Sequence, residues 1–183
     1  RAVLVLGAGK SFSAGNDLAD FLAAGEGTEG GAAPFIRAVS RFEKPLVVGV
    51  QGHAVGVGTT MLLHADLVVA AEDAKFLTPF VDLGAVPEAG SAKLLPAGLG
   101  DQGAAGMLLA GEPLLAPEAL QAGLVAKMVS PAELVATATD YARTLAAKPW
   151  IPSWMPQRFC PFSRSEAPSI FCARSAAPLN DAI

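Results

Sequence analysis

Short apolar runs alternate with segments of helical periodicity along most of the chain. Continuous apolar runs bounded by glycine, proline or polar residues are typical of strands that are buried on both faces. We predict such strands at residues 3–6, 46–50, 67–71 and 124–129. Where apolar residues recur every three or four positions we predict helices, at residues 34–43, 58–64, 102–110, 117–121 and 131–148. The alternation of strands and helices predicts an α/β fold with parallel crossovers.

The helix predicted at residues 131–148 has the clearest pattern. Its apolar side chains recur at the spacing that places them on one helix face, which we expect to pack against the sheet. They are Leu134, Val135, Ala138, Tyr141, Ala142 and Leu145.

The character of the sequence changes after Lys148. Both tryptophans, both cysteines and six of the fourteen prolines lie in residues 149–183, where repeated prolines would interrupt any helix. We therefore predict a folded core over residues 1–148 and an atypical, irregular tail over residues 149–183. We also predict a mobile loop in the glycine-rich, acidic segment 25–33. The chain opens directly on an apolar run, so we expect its start to be truncated.

Composition narrows the class of protein. The chain has 183 residues, of which 52% are hydrophobic, enough for one globular domain with a substantial core. Only 16% are charged and the net charge is -4, so neither nucleic acid nor an anionic membrane is an expected partner. The apolar runs are far shorter than the roughly 20 residues of a membrane helix, so a soluble protein is expected. The cysteines and histidines lack metal-ligand spacing, so we expect no metal site.

The sequence partly matches three known motifs, two for nucleotide binding and one for serine hydrolases, but each match lacks an essential glycine. A phosphate-binding loop around GAGKS at residues 7–11 would need a glycine where Leu4 stands. A dinucleotide fingerprint would need glycine at position 12, which is Phe12. Ser91 lacks the flanking glycines of a GxSxG nucleophile elbow. These three kinds of chemistry are therefore not expected.

Three other motifs occur in a fixed order. They are SFSAGNDL at residues 11–18, QGHAVGVGTTMLLHADLVVA at residues 51–70 and FLTPFVDLGAVPEAGSAKLLP at residues 76–96. Their order and spacing resemble the crotonase, or enoyl-CoA hydratase/isomerase, superfamily over about residues 1–148. The resemblance implies a spiral of ββα turns with a helical C-terminal part, an acyl-CoA thioester as substrate, and a homotrimer or a hexamer built from two trimers. It implies no cofactor beyond the coenzyme A of the substrate, and we expect a cytoplasmic location.

The glycine-rich segment after Val50 predicts an oxyanion site. A strand, a glycine-spaced loop and a helix in succession aim backbone N–H groups and the positive helix end at one point. Matched residue by residue, the resemblance implies that the two donors are the backbone N–H groups of Asn16 and Val57. It also implies substrate contacts at Ala14, Gly15, Asp17, Leu18, Gly56, Thr60 and Phe80.

These residues also have structural interpretations, which stay open at this point. Gly52, Gly56 and Gly58 are compatible with a role limited to tight turns and close packing, and Asp17 with a role limited to capping a helix. His53 and His64 lie in apolar surroundings and are interpreted as packed or partly exposed residues rather than bases.

The third motif indicates which reaction is expected. In the family's hydratases two glutamates flank the acyl chain, and the resemblance places those positions at Thr60 and Phe80, which cannot activate water. Glu88, in a P-E-G-like segment, resembles the catalytic glutamate of peroxisomal-type Δ3,Δ2-enoyl-CoA isomerases. It would move a proton from C2 to C4 of a 3-enoyl-CoA, aided by a pKa that its apolar neighbours Val86, Pro87 and Ala89 are expected to raise.

Alternatives to this isomerase hypothesis are a hydratase or another crotonase-type reaction, a non-catalytic acyl-CoA-binding protein, and an exposed Glu88 without function. The candidates for an acyl pocket are Leu18, Phe21, Phe76, Leu77 and Phe80, although aromatic residues at such positions more often belong to the core. Lys10 is a candidate phosphate contact.

Overall fold

The computed structural model describes residues 1–17 and 32–148. Within these residues it contains strands and α-helices that we label in chain order. They are β1 (Val3–Leu6), α1 (Ala33–Ser40), β2 (Leu46–Val50), β3 (His53–Val55), α2 (Val57–Thr60), β4 (Leu67–Ala71), β5 (Lys75–Leu77), α3 (Ser91–Leu108), β6 (Leu114–Leu115), α4 (Ala116–Gln121), β7 (Lys127–Val129) and α5 (Leu134–Ala147). A 3₁₀-helix, Met61–His64, continues α2.

The strands form two sheets. The first has the order β1-β2-β4-β7 and is parallel throughout, with Val48 of β2 opposite Val5 of β1 and Val68 of β4. In the second, β3 pairs in parallel with β5, which pairs antiparallel with β6. Two successive strand-strand-helix units, β2-β3-α2 and β4-β5-α3, each place one strand in each sheet. This arrangement confirms the predicted α/β class and the spiral of ββα turns.

Strand β2 is buried along its whole length because both faces of the first sheet are covered. Val48 and Val50 point into the larger apolar cluster, whereas Val47 points into a smaller one with Leu134 and Ala138 of α5. Such burial on both faces explains why the strand appears in the sequence as an unbroken apolar run.

Helix α5 confirms most of the predicted apolar face. Leu134 and Ala138 are buried against the first sheet, and Tyr141, Ala142 and Leu145 pack around them. The prediction was wrong for Val135, whose side chain is 57% exposed. Consecutive helical positions are about 100° apart, so a side chain next to Leu134 is turned away from the sheet.

Several predicted boundaries also required correction. The strand predicted at 124–129 is only Lys127–Val129, and the helix predicted at 34–43 ends at Ser40. The helix predicted at 102–110 is the second half of α3, which begins at Ser91, continues through Pro96 and breaks at Gly100, where φ is 73° and ψ is 167°. Strands β3, β5 and β6 were missed because runs of two or three residues carry too little periodicity.

Two predictions lie outside the described residues: the irregular tail at 149–183 and all but the end of the loop at 25–33, since α1 begins at Ala33. In the described part of the chain, no helix has both the length and the apolar character required to cross a membrane.

Candidate active site

The loop after β1 is joined to strand β3 by backbone hydrogen bonds. The N–H groups of Phe12 and Ser13 donate to the carbonyl oxygen of His53 at 3.0 and 3.1 Å, and the N–H of Val55 donates to that of Ser13 at 3.0 Å. Ser13 and Ala54 thereby form a parallel bridge. This pairing holds the first and second sequence motifs side by side.

Two glycines allow these motifs to approach closely. A Cβ atom at Gly58 would lie 2.7 Å from the Cβ of Ser13, and one at Gly15 would lie 2.9 Å from the carbonyl oxygen of Val55. Gly15 also has a φ of +93°, which side chains rarely permit. The structural interpretation of Gly58 as a close-packing residue is therefore confirmed. The same packing brings Asn16 and Val57 into neighbouring segments.

The candidate oxyanion donors are unpaired within residues 1–17 and 32–148. Gly56, with φ of 54°, is the N-cap of α2, so Val57 is the first helical residue and its N–H has no intrahelical acceptor. The structure likewise shows no acceptor for the Asn16 N–H among these residues. Where two such free amides point at one oxygen atom they stabilise an oxyanion, and each donor then contributes about 2.7–4 kcal/mol in a transition state.

Two adjacent threonines differ in their hydrogen bonding. The hydroxyl of Thr59 donates to the carbonyl oxygen of Ala54 at 2.6 Å and accepts from the N–H of Leu77 at 3.2 Å, which ties α2 to strands β3 and β5. The hydroxyl of Thr60 is buried and has no partner among the described residues. Thr60 and Phe80, which the resemblance places beside the substrate, are 0% and 6% exposed.

Glu88 lies in a turn that leads into α3. Its carbonyl oxygen accepts hydrogen bonds from the Ser91 N–H at 2.9 Å and from the Ser91 hydroxyl at 2.7 Å. The next residue, Ala89, has φ of +50°, a left-handed conformation that costs a residue with a Cβ about 1–2 kcal/mol. His64 Nε2 lies 2.9 Å from the carbonyl oxygen of Ala89. Because a carbonyl only accepts, Nε2 carries the proton in this bond.

Burial raises the pKa of the Glu88 carboxyl above its ordinary value. The predicted direction is confirmed, but one predicted cause was wrong. Val86 is 84% exposed and cannot desolvate the carboxyl, whereas Ala89 is buried. A carboxyl with a raised pKa is better matched to giving back a proton near neutral pH.

The remaining predicted site residues lie in different surroundings. Ala14 and Asp17 are exposed, Gly15, Asn16 and Gly56 are partly buried, and Leu18 and Phe21 are outside the described residues. Phe76 is fully buried in the larger cluster, as the core interpretation predicted, and Lys10 and His53 are exposed. No group of three or more His, Cys, Asp or Glu side chains in the described segments could hold a metal ion.

The hydrogen bond between His64 and Ala89 was not anticipated from the sequence. The two residues are 25 positions apart, and a lone histidine in the run MLLHA gives no local signal of its partner. The bond links the 3₁₀-helix that follows the Val57 amide to the turn that carries Glu88.

Comparison with known proteins shows which family the chain is similar to. Residues 1–155 match the family model for enoyl-CoA hydratase/isomerase. The chain is 36% identical over 157 residues to 1,2-epoxyphenylacetyl-CoA isomerase of Escherichia coli, covering 81% of this chain and 60% of that protein. It is 43% identical over 129 residues to enoyl-CoA delta isomerase 2 of Rattus norvegicus, covering 67% of this chain and 33% of that protein.

Solved structures show the same relationship. The enoyl-CoA hydratase/isomerase of Pseudoalteromonas atlantica T6c superposes with a TM-score of 0.75 at 45% sequence identity, covering 81% of this chain and 59% of that one. The chain thus spans between a third and three fifths of the length of these proteins. The match of the family model over most of the sequence, the sequence identities and the shared fold agree: the chain belongs to the enoyl-CoA hydratase/isomerase family.

Proposed function

We propose that the protein is an acyl-CoA isomerase that shifts the double bond of a 3-enoyl-CoA to the 2-position. The observation that carries this proposal is Glu88, a partly buried carboxyl with a raised pKa in the turn that His64 links to the helix of the Val57 amide. One similar protein, from Rattus norvegicus, is named an enoyl-CoA delta isomerase, which supports this reaction class.

Isomerisation needs one group that both takes and returns a proton. In the proposed reaction, ionised Glu88 removes a proton from C2, and the electrons move onto the thioester oxygen as a dienolate. The Asn16 and Val57 amides donate to that oxygen. Protonated Glu88 then delivers the proton to C4, which leaves the double bond between C2 and C3. The raised pKa favours this second step because the carboxyl must exist transiently as an acid.

Hydration makes a different demand on the site. The addition of water to a 2-enoyl-CoA requires a group that activates the water while another protonates the carbon. Thr60 and Phe80 stand at the positions that the resemblance assigns to the two hydratase glutamates, and neither is a base. The proposed isomerase therefore hydrates weakly. A non-catalytic acyl-CoA-binding protein would bind the thioester and convert nothing.

The test compares the parent protein with Glu88→Gln, which keeps the side-chain shape but cannot take a proton. Asp82→Asn is the matched control, since Asp82 is an exposed carboxylate six positions earlier. Each protein is incubated with trans-3-enoyl-CoA and, separately, with trans-2-enoyl-CoA. Products are followed by the absorbance of the conjugated thioester and identified by mass.

The expected result is isomerisation by the parent and by Asp82→Asn, and none by Glu88→Gln. Dominant formation of 3-hydroxyacyl-CoA by the parent would favour the hydratase hypothesis. Full isomerase activity in Glu88→Gln would remove Glu88 from the reaction, and acyl-CoA binding without any turnover would favour the non-catalytic hypothesis.

We also propose that the protein assembles as a homotrimer or as a hexamer of two trimers. Apolar side chains that are exposed in the described chain support an interface: Val81, Leu83, Val86 and Leu109 are between 47% and 84% exposed. Light scattering coupled to size-exclusion chromatography tests this proposal, and a monomer at working concentration contradicts it. A cytoplasmic location stays a prediction.

A further inference from the structure

We propose that His64 is a positioning residue for Glu88, which it holds in place by donating a hydrogen bond from Nε2 to the carbonyl oxygen of Ala89. This role rests on the proposed function, in which Glu88 moves the proton. His64 acts only through the backbone of the Glu88 turn and does not take a proton from the substrate.

The first support is where His64 lies. It ends the 3₁₀-helix that continues α2, the helix that begins with the candidate donor Val57. Met61 and Leu62 of the 3₁₀-helix are buried in the larger cluster, and the Thr59 hydroxyl bonds fix α2 to two strands. Because the 3₁₀-helix is held firmly in the core, the His64 donor at its end fixes the distance between the oxyanion site and the Glu88 turn.

The second support is the conformation of Ala89. This residue is buried and holds a positive φ of 50° without being glycine, which a turn keeps only when surrounding contacts impose it. On the Glu88 side the turn is held by the backbone and hydroxyl of Ser91. On the Ala89 side the 2.9 Å bond from His64 is the contact that orients the carbonyl group. Its loss would free the Ala89–Gly90 peptide, which lies one residue after Glu88.

Freeing that peptide has an effect on Glu88 itself. Burial is what raises the pKa of this carboxyl. A turn that relaxes towards solvent would hydrate the carboxyl, lower its pKa towards the ordinary value, and spread the carboxyl over positions that are not in line with C2 and C4. His64 therefore bears on proton transfer rather than on the binding of the thioester.

The experiment uses two amide substitutions that differ in reach. In His64→Gln the side-chain amide reaches about as far as Nε2 and can donate to Ala89, whereas in His64→Asn it falls short by one methylene. His64→Phe repeats the loss of the donor with an apolar ring of similar size. His53→Asn is the control, because His53 is the exposed histidine of β3. Circular dichroism and thermal melting establish that each variant folds.

Two readouts are taken on each variant. The first is kcat and KM for trans-3-enoyl-CoA. The second is the titration of Glu88 by carbon NMR of protein with labelled glutamate carboxyls, with the Glu88 signal assigned by its absence from Glu88→Gln. The titration requires no turnover, so it tests the effect of His64 on Glu88 even if the protein catalyses a different reaction.

In His64→Asn and His64→Phe we expect kcat to fall about threefold to tenfold, as for the loss of one ordinary hydrogen bond, with KM nearly unchanged. The pKa of Glu88 should fall in both variants. His64→Gln and His53→Asn should match the parent in both readouts. An unchanged Glu88 titration in folded His64→Asn or His64→Phe overturns the role of His64. A parent that isomerises nothing but whose Glu88 pKa falls in these variants overturns the proposed reaction alone.

Discussion

Replacing Val57 with proline removes one candidate oxyanion donor with little change to the fold. Proline has no backbone N–H, and it is favoured at the first position of a helix, where the N–H has no intrahelical partner. Val57 occupies that position in α2, directly after Gly56. The substitution therefore breaks no hydrogen bond among those of the described residues. Because the proline ring also occupies the place of the N–H and restricts Gly56, folding and coenzyme A binding are measured together with turnover.

The expected loss follows from the value of one such donor. Removing a single oxyanion donor costs about 2.7–4 kcal/mol, so turnover of trans-3-enoyl-CoA should fall about 100-fold to 1,000-fold. The thioester in its ground state gains less from the amide than the dienolate does, so KM should change much less than kcat. Asn16 remains as the second donor, which accounts for the activity that is left.

Val57→Ala is the control, since it shortens the side chain and keeps the N–H. Both variants are assayed for isomerisation by absorbance of the conjugated product, for coenzyme A binding by calorimetry, and for folding by circular dichroism. If folded Val57→Pro binds coenzyme A and isomerises at the rate of Val57→Ala, the Val57 amide is not part of the oxyanion site.

Three further predictions concern the stability and geometry of the same region. The buried hydroxyl of Thr60 has no partner among the described residues, so Thr60→Val should be at least as stable as the parent in urea unfolding. Thr59→Val, which loses a hydrogen-bonded hydroxyl, should have a free energy of unfolding about 1–3 kcal/mol lower, and equal effects of the two substitutions would contradict this. In Gly58→Ala the new Cβ would clash with Ser13, so the free energy of unfolding should fall by about 1–3 kcal/mol and turnover should fall as well. Unchanged values would mean that the two loops can move apart to accommodate the methyl group. Because the pKa of Glu88 is raised on folding, the parent should lose stability relative to Glu88→Gln as pH rises from about 4.5 through the raised value. Urea unfolding at pH 4 and pH 7 measures this change, and the opposite sign would show that the folded protein favours the carboxylate.

The sequence predicted those parts of the fold in which the pattern of apolar residues is compatible with only one kind of secondary structure. Strands β2 and β4 matched their apolar runs because a parallel sheet covered on both faces requires apolar residues at nearly every position. Strand β1, at the edge of the sheet, also matched its run although it is only partly buried. Helix α5 was found because its inner face is apolar over several turns. The second sheet was missed because β3 and β5 are three residues long and begin with the exposed side chains of His53 and Lys75.

The candidate site was predicted less completely than the fold. The order of the three motifs identified Asn16, Val57 and Glu88 as candidate site residues, and the resemblance to the family supplied their proposed roles. The direction of the Glu88 pKa shift was predicted correctly, but the prediction attributed part of the desolvation to Val86, whose side chain is exposed to solvent. The bond from His64 to Ala89 depends on how the 3₁₀-helix packs against the start of α3, and no pattern within either segment encodes that packing.

The pairing of Ser13 with Ala54 and Val55 bears on how this site can change over evolution. These bonds close a connection of about 40 residues, and the entropy cost of closing a connection rises so slowly that doubling its length costs only about 0.6 kcal/mol. Changes of length in the connection outside α1 and β2, whose residues are fixed by packing and sheet register, therefore cost little stability. Descendants of one ancestral gene can therefore differ in the length of this connection without rebuilding the pairing of Ser13 with Ala54 and Val55.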